Sequence, residues 1–113
     1  MKESPIFARL HDLLLWLLRA TRKLPREYRF TLGEQISRQG FALQDALIAA
    51  GLERKRQADH LLQADIALTS LRKTLLLCHE LQLLDAGQYR HVSEMIQEVG
   101  RLLGGWRKTT GAP

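Results

Sequence analysis

Four amphipathic α-helices packed as an antiparallel, up-down-up-down bundle are the architecture this sequence predicts. Three observations lead there. Leucine is by far the commonest residue while valine and isoleucine are scarce, a balance that favours helix over strand. Apolar residues recur at three- and four-residue spacing. The few prolines, and one central glycine, fall where helices of ordinary length should end.

The first helix is expected over residues 5–23. Ser4-Pro5 reads as an N-cap followed by proline at the first helical position, where a missing N–H costs nothing. Ile6, Leu10, Leu13, Leu14 and Leu17 make its stripe. Leu24-Pro25 ends it, because a residue before proline is pushed out of the α region. The second helix is expected over 27–50. Thr31 with Glu34 has the spacing of a capping box, although helix could already start at Arg26. Its stripe is Leu32, Ile36, Leu43 and Leu47, with Gly40 beside it where another helix could approach closely. Gly51 closes it. The third helix, over 53–84, contains neither proline nor glycine and is the longest element. Asp85 and Gln88 repeat the capping-box spacing and open the fourth, over 86–107. That helix carries Tyr89, Val92, Met95, Ile96, Val99, Leu102, Leu103 and Trp106 on one face.

At 113 residues the chain is enough for one domain, 1–113, and too little for two. A domain of this size buries only about two-thirds of its unfolded surface, so association with copies of itself is a natural supplement. Two helices have apolar surface to spare. Phe7, Leu15 and Leu18 flank the main stripe of the first, and Phe30, Phe41 and Ile48 form a second stripe on the other side of the second. These six are the expected subunit contacts, because the excess is grouped rather than scattered. The single cysteine, Cys78, excludes an internal disulfide and a cysteine zinc cage, and fits a reducing, cytoplasmic setting. No apolar run approaches the roughly 20 residues needed to cross a bilayer, so no membrane partner is expected.

Chemistry-bearing motifs are absent. The histidines at 11, 60, 79 and 91 show no metal-ligand spacing, there is no nucleophile elbow, and no glycine loop follows a strand. Cys78 reads as a small buried hydrophobe. Gly100, Gly104 and Gly105 read as flexibility and capping at the end of the last helix. His79 and Arg72, seven apart, share a stripe with Leu61, Leu68 and Leu75. They could line a channel or anchor an acidic partner, or Arg72 could simply lay its stem on apolar surface. Neither an enzyme nor a cofactor is expected.

Basic residues are more informative. The formal net charge is +5, and twelve of the seventeen cations are arginine, whose planar fork suits phosphate. Arg19, Arg22, Lys23, Arg26 and Arg29 gather across the first turn. Arg54, Lys55 and Arg56 open the third helix, and Arg101, Arg107 and Lys108 close the fourth. Aromatic residues are few, so the pattern favours recognition of a nucleic-acid backbone or shape over base reading. The same charges also suit an ordinary solvated face, or an adaptor that binds an acidic protein.

Three segments are more specific. Leu24-Pro25-Arg26, followed by Arg29, Phe30, Thr31, Leu32 and Gly33, resembles the first helix junction of small four-helix-bundle proteins encoded by intervening sequences of bacterial 23S ribosomal RNA genes. The stretch Glu98-Val99-Gly100-Arg101-Leu102-Leu103-Gly104-Gly105-Trp106 is similar to the end of one branch of them, the accessory variability determinant (Avd) proteins of diversity-generating retroelements. Leu68, Leu71, Arg72 and Leu75, with Gln88-Tyr89, also fit that branch. The resemblance implies a non-enzymatic bundle that assembles into a homopentameric barrel. It implies binding to a reverse transcriptase and to RNA or DNA during mutagenic retrohoming. Arg26, Arg29, Arg72 and Arg101 are the matching positions. A ribosomal-intervening-sequence-type bundle without a retroelement stays the alternative.

Overall fold

The computed structural model describes residues 5–110, so Ser4, the expected N-cap, lies outside the described residues. They form four long helices and no strand. These are α1 (Pro5–Arg22), α2 (Glu34–Leu52), α3 (Gln57–Glu80) and α4 (Ala86–Thr109). A short helical lead-in, Arg26–Tyr28, and a π-helical turn, Arg29–Gly33, precede α2. A 3₁₀ turn, Arg54–Arg56, precedes α3. Each helix packs on its neighbours in chain order and α4 closes back on α1, with α2 against α3 the most extensive contact. At 1.5 Å per residue, α3 and α4 are each about 36 Å long, close to the 42 Å long axis of the molecule.

Three polar rungs fix the direction of α4 against α3. Arg107 pairs with Asp65 at 2.8 Å, the Arg72 guanidinium lies over Gly100, and His79 stacks on Tyr89 with ring centroids 4.5 Å apart. Forward steps of seven along α3 meet backward steps along α4, which is antiparallel pairing. Gly100 is therefore no helix end. It lies inside α4, where an added Cβ would stand 2.8 Å from Arg72 Nη2. Gly104 and Gly105 are also helical, and α4 continues to Thr109.

The expected stripes form the core. Ile6, Leu10, Leu13, Leu14 and Leu17 of α1 meet Ile36, Leu43 and Leu47 of α2, and Leu61, Leu68, Leu71 and Leu75 of α3. Val92, Ile96, Val99 and Leu103 of α4 complete it. Gly40 is the point of closest approach between α1 and α2, since a Cβ there would stand 2.8 Å from Leu14 Cδ2.

Helix ends differ from expectation in several places: α2 runs through Gly51 to Leu52, and the 3₁₀ turn delays the start of α3 from 53 to Gln57. Thr31 caps nothing. It sits inside the π turn with its hydroxyl donating to the Tyr28 carbonyl, while Glu34 pairs with Arg38 one turn on. The helix begins at Arg26, straight after Pro25. The third helix stops at Glu80, short of 84. Gln82 takes the left-handed conformation, φ 64°, and the Leu83 N–H donates back to the Cys78 carbonyl at 2.8 Å. The Gln82 N–H donates to His79, completing the two-bond closure in which such a residue ends a helix. Leu83 and Leu84 then turn inward onto the core. The capping box at Asp85 forms as expected: Gln88 N–H donates to Asp85 Oδ1 at 2.7 Å, and Asp85 N–H to Gln88 Oε1 at 2.9 Å.

Glycine positions separate packing from propensity. Gly40→Leu should cost about 2 kcal/mol by overpacking the α1–α2 contact. Gly104, with no atom close to an added Cβ, should gain up to about 1 kcal/mol as alanine. Urea denaturation midpoints check both, and equal shifts for the two variants would contradict the packing.

Candidate nucleic-acid interface and subunit faces

The described residues contain no group of three or more histidine, cysteine or acidic side chains able to hold a metal. Each histidine except His11 has a close neighbour. His79 Nδ1 lies 3.1 Å from the Leu84 carbonyl, His91 is tilted against Trp16, and His60 meets Glu53. His79 thus fastens the α3–α4 turn. Cys78 is 1% exposed, and burial pushes its thiol above the ordinary value. A nucleophilic cysteine needs the reverse.

Topology sorts the basic residues. Arg19 and Arg22 end α1, Lys23 is in the loop, and Arg26 and Arg29 begin the next segment, so these five share one end of the bundle. Arg29 donates through Nε to the Leu24 carbonyl at 3.0 Å, which ties the junction together and leaves its terminal nitrogens outward of that bond. Leu24 is buried beneath, among Leu17, Ala20, Ile36, Cys78 and Leu84. None of the five cations has a carboxylate within 4.0 Å among the described residues. The stretch 19–33 contains a single acid, Glu27.

Arg54, Lys55 and Arg56 stand at the opposite end, one helix length away across the 19 residues of α2. One of the three has a carboxylate within 4.0 Å among the described residues. Arg56 lies 3.8 Å from Asp59, and Arg101 is paired with Glu98. Arg107 is tied to Asp65 across the α3–α4 seam. Arg72 occupies the middle of that seam, in a shallow groove with Leu75, Tyr89, Ser93 and Ile96. The ten residues expected to bind nucleic acid or a partner therefore form no single patch. Five gather at the helix junction, three lie at the far end, and Arg72 and Arg101 lie along α3 and α4.

The expected subunit contacts divide as well. Leu15, Phe41 and Ile48 are exposed. Phe7 is half-buried and meets Trp106 edge-on at 6.3 Å, and Leu18 is half-buried. Phe7, Ala8, His11, Gln44 and Ile48 line a groove between α1 and α2. Phe30 is separate, at 79% exposure in the π turn. A π turn holds one residue more than an α turn. That turns Phe30 about 100° away from the line through Phe41 and Ile48.

Sequence reasoning missed a third apolar surface. Leu62, Ile66, Leu76 and Leu77 are exposed on the side of α3 opposite its core stripe. The signal was present in the doublets: Leu61 and Leu75 face the core, while Leu62 and Leu76, one residue on and about 100° round, do not.

These features describe a small helical bundle whose conspicuous groups lie on its ends and outer faces rather than in an enclosed cleft. Among protein-family models, the bAvd-like model matches residues 6–110, and the chain belongs to that family, one of Avd-type accessory proteins. No curated protein matches it. No helix among the described residues is long and apolar enough to cross a membrane.

The buried thiol gives a direct check of the core. Folded protein should react with a thiol reagent at least about tenfold more slowly than the urea-unfolded chain, because Cys78 is both shielded and protonated. Equal rates would contradict its placement.

Proposed function

We propose that this protein is the non-catalytic accessory subunit of a diversity-generating retroelement. It binds the reverse transcriptase and the template RNA or its cDNA in the cytoplasm and holds them together while the reverse transcriptase performs mutagenic copying. The bAvd-like match over residues 6–110 carries this reading. The charge supports it: +5 on 113 residues is attractive to any polyanion, and no junction cation has a carboxylate within 4.0 Å among the described residues. Contact is with backbone and shape, not strongly with sequence.

The protein acts as a homo-oligomer, a pentamer by family resemblance. Two separate apolar surfaces support self-association, the α1–α2 groove with Phe41 and Ile48, and the outer stripe of α3 with Leu62 and Ile66. Two different surfaces that meet head to tail form a ring where the rotation between neighbours closes. A ring would also repeat each basic end around one axis and multiply the field felt by a polyanion.

The test is an RNA-binding titration across salt concentrations. Arg22→Ala with Arg26→Ala should lower affinity and reduce the log–log salt slope by about 1.4, the counterion release of two phosphates on a single strand. Helicity should stay unchanged, since neither side chain has an ion pair among the described residues and both are exposed. An unchanged slope would remove the helix junction from the contact.

A further inference from the structure

We propose that Phe30 is a stacking platform for an unpaired base, so that the helix-junction end takes single-stranded nucleic acid. The inference rests on the nucleic-acid reading above and narrows it to a strand type and a position. Phe30 is the most exposed aromatic ring among the described residues, at 79%. The described residues leave most of it uncovered, and the π turn separates it from the apolar stripe of α2. A bare ring in water is unfavourable by the apolar area it leaves exposed, which favours a flat partner that covers it.

The surroundings choose that occupant. Arg22, Lys23 and Arg26 lie within eight residues of the ring, and none has a carboxylate partner among the described residues. A second copy docking by this same end would bring cations onto cations in a contact emptied of water. An apolar protein helix would leave those guanidinium groups without acceptors. A single strand supplies both complements at once, a flat base for the ring and phosphates for the cations of the same junction. A duplex supplies only phosphates, because its base faces are already stacked on one another. The stack is tolerant of base identity, which agrees with recognition that is not strongly sequence-specific.

Three labelled probes test the inference by fluorescence anisotropy: a short oligouridylate, the same strand with abasic sites, and a blunt RNA duplex. Phe30→Ala should weaken oligouridylate binding about tenfold, within the loss seen when an aromatic platform is removed. It should leave the salt slope, the abasic strand and the duplex unaffected, and Phe30→Tyr should keep wild-type affinity. Circular dichroism should show unchanged helicity, as expected for a side chain this exposed. Wild-type affinity of Phe30→Ala for oligouridylate would overturn the proposal, as would equal losses on strand and duplex. A fall in subunit number of Phe30→Ala by sedimentation would also overturn it, by making the ring a subunit contact. If the wild-type protein binds none of the three probes, the nucleic-acid reading itself fails first.

Discussion

Every other feature of this molecule follows from the interlocking of leucine side chains along four helices joined by very short connections. Leu13, Leu43, Leu47, Leu61 and Leu71 are wholly buried, and each is worth about 2 kcal/mol when removed from water. No other interaction in the chain approaches their sum. The ion pairs are surface contacts of at most about 1 kcal/mol each. Because each helix gives one stripe to that seam, charged residues are left with the outer faces and the ends. Because the connections are short, consecutive helices must run antiparallel. The first and second basic clusters are then forced to opposite poles, although they lie close in sequence.

The α3–α4 seam shows how polar groups are fitted around such a core. Asp65 with Arg107, Arg72 over Gly100 and His79 on Tyr89 recur at seven-residue steps of α3, two turns of helix, along the flank of the leucine stripe. They set the register without entering the interior. Gly100 has a packing reason there, because a side chain would displace the Arg72 head. That same glycine and arginine belong to the stretches that carried the family resemblance, so part of that resemblance is explained by helix packing.

Much of the fold was legible in the sequence, and what was not has identifiable causes. Pro25 and the Asp85–Gln88 pair announced the helix ends that depend on residue chemistry, whereas Gly51 lies inside α2, which runs on to Leu52. Gly40 announced a close approach that Leu14 fulfils. The end of α3 was hidden because glutamine at 82 is an unusual residue for a left-handed turn, and its conformation is held by backbone bonds to Cys78 and His79 that composition does not betray. The π turn was hidden for a similar reason: one extra residue in a turn leaves no mark in composition, yet it moves Phe30 off the stripe it appears to share with Phe41. In the candidate site, the five cations at the helix junction were legible as a cluster. Their separation from Arg54, Lys55 and Arg56 needed the helix directions, and the outer stripe of α3 needed to be distinguished from its core stripe by phase. The distribution of groups suits the role proposed above, with basic ends offered to nucleic acid and apolar sides to other subunits.

A native mass spectrum of the purified protein with a structured RNA, at close to physiological ionic strength, tests that account most directly. The expected result is a complex whose protein mass is a multiple of 12.9 kDa, five subunits by family resemblance, with the RNA retained. A lone 12.9 kDa chain beside free RNA would contradict both the subunit faces and the basic interface.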